Sequence, residues 1–355
     1  MATAVQSQPL QSSRPSIEID GQPQARLEAA LVSYELADRI DAMAHAELCF
    51  GNWGGEAHPG FQHFDRRTLD FGKTLVVKHG DARLFEGRIS AIAAEYPEGA
   101  PPQISVLAED RLQDLRMARR TRCFAQASLG DVAHAIAKDH GLAAKVSVDA
   151  PVVPLLAQLN QSDLAFLTDT ARRYDADVHV EGATLIVAAA RQVPAAQLAW
   201  AGTLRAFSVI ADLANQRSAM VASGWDVARK QAISHRVGKG AAALEIGRDE
   251  AGGDILARTL GERVETLAHQ LPANASEARH LAESAYRQMA RSFVTGEGVC
   301  ETSPLVRAGA RIELSGLGPL FDGAYRTLAV THLFDPDQGA RSTFRCNRAG
   351  LGRAR

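Results

Sequence analysis

The side chains best equipped for chemistry are scattered along this sequence. His58 and His63 fall in the run Gly-Glu-Ala-His-Pro-Gly-Phe-Gln-His-Phe-Asp and, with Asp65, carry metal-ligating atoms. Their spacing is not that of one helical face, Pro59-Gly60 breaks the segment, and no second cluster supplies further ligands. Structural roles are expected for them. His134 and His140 share a predicted helix but point to different faces, and His332 reads as a packed or rim residue of an alternating strand. Cys49, Cys123, Cys300 and Cys346 form no CxxC pair and stand in no protease signature, which predicts free thiols in a reducing compartment. HExxH and GxSxG are absent, and Gly72-Lys73 and Gly238-Lys239 lack the upstream glycine of a phosphate loop. Gly316-Leu317-Gly318 runs into Pro319 and reads as a turn, not a dinucleotide site. Asp175 and Asp177 read as helix-terminating and turn residues. No catalytic residue, cofactor or metal ligand is assigned, and the chain is expected not to be an enzyme.

One charge cluster stands apart. Arg111, Arg116, Arg119, Arg120 and Arg122 are opposed locally only by Asp114. They read either as the solvated face of a connector or as a contact for an acidic partner surface or nucleic acid. Arg345, Arg348, Arg353 and Arg355 form a weaker basic group.

The chain that must position these groups has 355 residues, enough for two or three domains. With 39 Lys+Arg against 41 Asp+Glu, the net charge of −2 argues against nucleic-acid wrapping. No apolar run reaches the roughly 20 residues of a membrane span. The opening MATAVQSQPLQSSRP lacks the basic and apolar pattern of a secretory signal, which predicts synthesis in the cytoplasm.

Residues 1–15, rich in Gln, Ser and Pro, read as a flexible arm. Short alternating runs at 16–21, 31–36, 46–50, 75–79, 83–92 and 103–108 predict a β domain, an antiparallel barrel or sandwich. Near Asp110 the period changes. Ser128 caps a predicted helix that stops at Gly141, and Ser162 caps another bearing Leu164, Leu167, Ala171 and Tyr174. A hairpin of 177–181 and 184–187 completes a small α/β module. Strands return at 204–210 and 218–227. A helix over 276–292 has Ala278, Leu281, Ala282, Ala285 and Met289 opposite Arg279, Glu283, Arg287 and Arg291. Runs at 311–314, 325–334 and 342–347 close the chain, the last two as a hairpin.

Four segments then carry a resemblance. Phe85-Glu86-Gly87-Arg88-Ile89 is a strand with Gly at its centre, reached after Phe71-Gly72 and Gly80. Gln161-Ser162-Asp163-Leu164-Ala165-Phe166-Leu167 is followed by Ala171, Tyr174 and Gly182-Ala183-Thr184-Leu185. Gly224-Trp225-Asp226 precedes Lys230, and Gly323-Ala324-Tyr325-Arg326 precedes His332, Phe334, Gly339, Thr343-Phe344 and Arg348. In order and spacing these resemble the phage late control D family, the tail baseplate hub proteins, over about residues 16–350.

The resemblance implies a mainly β fold with α+β modules: two tube-type β-barrel domains, a small α/β insert and a helix-bearing outer domain. The barrels would be 16–109, and 196–238 with 300–350; the insert would be 110–195 and the outer domain 239–299. It further implies a homotrimeric, pseudo-hexameric ring joining a hexameric inner tube to a trimeric spike, beside other baseplate proteins. Such hubs serve contractile phage tails, type VI secretion spikes and extracellular injection systems, assembled in the bacterial cytoplasm and carried in the particle. The sequence shows no spike-like repeat after the last strand, so the spike is expected on a separate chain. Neither nucleic-acid sequence recognition nor membrane insertion is expected. Two other readings are a cell-wall-acting hydrolase and a generic β-rich assembly scaffold.

Overall fold

A computed structural model describes residues 14–353 apart from 41, 56–58 and 228. The expected arm over 1–15 falls almost wholly outside the described residues, as do His58 and Arg355. The chain is mainly β, with several antiparallel sheets and a few helices, in two units. One unit takes residues up to Leu36, Ala46–Ala108 and His332–Arg341; the other takes Ala37–His45, Glu109–Thr331 and Ser342 onward.

In the first unit the strands follow the order Leu31–Arg39, His45–Gly51, Gln103–Glu109, Ala82–Glu95, Thr74–His79 and Ser16–Ile19. The two-residue period sets their faces. Ile17, Ile19, Ala46, Leu48, Phe50, Leu75 and Val77 are buried, while Glu18, Glu47, Cys49 and Val76 between them are not. Asp20 and Gly21 both take positive φ, 49° and 75°, the two-residue turn that suits right-handed strand twist. A short helix, Ala25–Ala30, interrupts the β pattern without a side-chain cap and was not expected.

In the second unit the strands follow the order Leu204–Ala211, Val294–Glu301, Gly339–Arg348, Gly323–Asp335, Arg311–Ser315 and Ala196–Ala199, the last two parallel. A core there gathers Phe293, Tyr325, Phe344 and Cys346. Phe207 stacks on Phe344 at 6.2 Å and meets Tyr325 edge-on at 5.9 Å. Gly298 makes room for these rings: a Cβ there would stand 2.7 Å from the Phe344 ring and 2.9 Å from the Ala206 carbonyl. Gly298→Ala is therefore expected to lower stability by about 1–3 kcal/mol, as overpacking does, read as a lower urea midpoint.

The α/β stretch holds more than two helices and a hairpin. Strand Ala143–Ser147 runs parallel to Thr184–Ala188, which pairs antiparallel with Asp177–Glu181. The capped helices form as expected at Leu129–Asp139 and Asp163–Arg173, the first with a full Ser128–Asp131 capping box. Farther along, Ala275–Arg291 lies over the sheet Gln231–Val237, Ala219–Asp226 and Val264–Thr266. Its expected polar face needs correction, because Arg291 is buried, only 6% exposed.

Asp110 marks the turn into the α/β stretch. Its carboxylate accepts the N–H groups of Ala44 and Leu112, each at 2.9 Å. Burial nevertheless pushes its pKa up to about 7. An unfolded Asp titrates near about 4, so between these values the folded state holds a proton that the unfolded state has lost. Stability is expected to fall as pH rises from about 4 to 7, and Asp110→Asn to flatten that fall in urea midpoints taken across the range.

Candidate partner interface

The five arginines lie at and after the short helix Leu112–Arg116, on strand Arg119–Ala127. That strand pairs antiparallel with Val153–Ser162 in a two-stranded ribbon absent from the sequence reading. Alternation divides the cluster. Arg120, Arg122 and Phe124 are half-buried, whereas Arg119, Thr121, Cys123 and Ala125 are exposed.

The half-buried arginines meet a carboxylate knot. Arg122 donates to Asp139 at 2.6 Å, to Asp163 at 2.8 Å and to the Gln158 carbonyl oxygen at 2.8 Å, with its guanidinium 5.0 Å from the Phe124 ring centre. Arg120 reaches Asp139 at 3.0 Å and Asp163 at 3.4 Å, and His140 Nε2 lies 2.8 Å from the Asp163 carboxylate. Burial alone would raise the Asp163 carboxyl. The hydrogen bonds of His140 and Gln158 and the charges of Arg122 and Arg120 outweigh it, and the pKa lies below the ordinary carboxylate value.

Asp114 is therefore not the only opposing charge. It pairs with Arg111 at 3.5 Å, while Glu109 takes Arg116 at 3.1 Å and Asp139 and Asp163 arrive from later in the chain. Arg119 alone has no ion pair among the described residues; it donates to the Asn160 carbonyl at 3.1 Å. In the C-terminal basic group, Arg348 is buried and bonds the carbonyls of Gly350, Asp322 and Leu320. Arg345 is exposed.

Near Arg119 on the ribbon Leu159 is 66% exposed; Leu155, opposite Ala125, is 57% exposed, and Met117 just before the strand is 72% exposed. In the first unit a second apolar patch holds Trp53, Phe61, Phe64 and Tyr96. Phe61 stacks on Phe64 at 4.7 Å and meets Trp53 edge-on at 5.3 Å. Exposed aromatic, Met and Arg groups are the usual material of protein contacts. No group of three or more His, Cys, Asp or Glu is placed for a metal among the described residues. His332 is packed in the interior. No helix among the described residues is long and apolar enough to cross a membrane.

Comparison with known proteins bears on the fold. The 43 kDa tail protein of prophage MuSo2 from Shewanella oneidensis superposes with a TM-score of 0.68 at 14% identity, over 95% of this chain and 98% of that one. A tail protein from Neisseria meningitidis MC58 gives 0.66 at 13%, over 96% and 97%. An E. coli type VI secretion component, described as structurally similar to T4 bacteriophage tail proteins, gives 0.60 at 11%, over 95% and 79%. The tail-hub type of fold implied by the resemblance is thus the fold observed. No curated protein matches the sequence. A family model described as the Alg8 N-terminal domain matches residues 11–335, so the resemblance to the late control D family holds at the level of fold. By this match the chain belongs to the Alg8 N-terminal domain family, on a scaffold shared with phage tail proteins.

Proposed function

We propose that the chain is a structural subunit of a contractile phage tail or tail-like injection particle, a hub without enzymatic activity. Three copies form a pseudo-hexameric ring that joins a hexameric inner tube to a trimeric spike, each copy contributing two tube-type domains. The observation that carries this reading is the likeness to tail proteins over 95% or more of the chain. A closed trimer is an ordinary symmetry for such a ring. In this reading 16–109 is the first tube domain, 196–238 with 300–350 the second, and 110–195 and 239–299 decorate the ring, which assembles in the bacterial cytoplasm. Native mass spectrometry of the chain mixed with the spike of its own particle tests this. The expected species contains three chains of 38.0 kDa; a lasting monomer in that mixture contradicts it.

The partner role of the arginine segment falls to its outward side. Arg119→Glu combined with Leu159→Asp is expected to abolish capture of co-expressed tube, spike or baseplate proteins while leaving the melting temperature within about 2 °C, because both side chains face solvent. Undiminished capture in co-purification would return this face to solvent.

A further inference from the structure

The second unit has several apolar cores. The core of residues 112–187 draws on Leu129, Ile136, Phe166, Leu167 and Leu185, and Met43 alone joins it from outside that stretch. The core around Phe293, Tyr325 and Phe344 and those beneath helix Ala275–Arg291 share no side chain with it.

Charged and polar groups bridge the gap between them. Asp175 closes helix Asp163–Arg173 in the left-handed conformation at φ 59°. Its carboxylate receives both Nη groups of Arg291, at 2.7 and 2.6 Å, and Nε of Arg287 at 3.0 Å. One helical turn separates the two arginines, which puts both guanidinium groups on the same carboxylate. Glu245 holds the other side of Arg291 at 2.6 Å. Asp177 pairs with Arg326 on strand Gly323–Asp335, and Gln288 donates to the Arg172 carbonyl at 2.7 Å. At the connecting segments, Asp38 accepts from Arg191 at 2.6 Å and from the Ala308 N–H at 3.3 Å.

Such a junction behaves differently from an apolar core. The desolvation cost of a buried ion pair offsets most of its attraction, so opening it with both partners hydrated costs little net free energy. Opening a packed core loses the hydrophobic term outright. Polar junctions between bodies of one chain resemble transient protein contacts.

We propose that residues 110–188 form a separately folded body held on helix Ala275–Arg291 and strand Gly323–Asp335 by an ionic latch, centred on Asp175–Arg291 and Asp177–Arg326. The latch opens with the body intact, which then turns about its connections at Asp38–Met43 and Ala189–Val193. A ring subunit with this device changes the attitude of an outer module without unfolding any core.

Hydrogen exchange of the full chain, wild type against Arg287→Gln/Arg326→Gln, tests the latch. Exchange is expected to rise about tenfold or more at Asp175–Asp177, Ser284–Arg291 and Ala189–Val193. Protection is expected to stay unchanged in helix Leu129–Asp139 and strands Ala143–Ser147 and Thr184–Ala188. Loss of protection in that helix and those strands together with the latch would overturn the proposal, and so would unchanged exchange at the latch. Should the variant fail to fold, Asp177→Asn/Arg326→Gln removes one whole pair, leaves no lone charge behind, and is read in the same way.

Discussion

Asp163→Ala is expected to lower the stability of the α/β stretch around it by about 3 kcal/mol, seen as an earlier transition of that stretch. Asp163 is 1% exposed and is the shared acceptor of Arg122, Arg120, His140 and Gln158. Its removal leaves two guanidinium groups with Asp139 as their remaining carboxylate partner and strips the helix Asp163–Arg173 of its first-turn acid. Breaking a buried pair from one side costs about 3–5 kcal/mol. The lower end applies because Arg122 and Arg120 stay 24% and 37% exposed and regain water. Calorimetry reads the loss, and Asp163→Asn, which keeps shape and one acceptor, should recover part of it. An unchanged transition in Asp163→Ala would mean that the knot is dispensable.

The second large effect is expected from Asp175→Asn, again about 3–5 kcal/mol, but in a different place. Arg291 would keep only Glu245. Asn tolerates the left-handed backbone at φ 59°, so the change reports charge and not strain. With separate apolar cores on each side, the loss should appear as lost protection along Ser284–Arg291 while helix Leu129–Asp139 keeps its own. Asp163→Ala should do the reverse and expose the α/β core itself. If both variants instead melt the whole unit in one shifted transition, the two cores are coupled more tightly than their contacts indicate.

These two carboxylates also mark where reading the sequence stopped. Local signals were legible: Ser128 and Ser162 cap their helices, and alternation in Ser16–Ile19 or His45–Gly51 sets the buried face. The ribbon strand Arg119–Ala127 was missed because arginines stand on both its faces, which hides the two-residue period. Helix Ala25–Ala30 is too short for a helical stripe and lacks a capping side chain. Arg291 falls on the polar side of a correctly placed helix, yet its partner Asp175 is 116 residues away, beyond any local pattern. Likewise Arg122 finds Asp163 across 41 residues. Basic character in the sequence overstated the free charge, because folding supplies the carboxylates. What survives on the exposed side of the ribbon is Arg119, with Leu159 near it.

Electron cryomicroscopy of the chain assembled with the inner tube and spike of its own particle tests the trimeric hub. Three copies are expected on the particle axis, forming one ring of six tube-type domains between tube and spike. Six copies in that ring, or a chain absent from the axis, would contradict it.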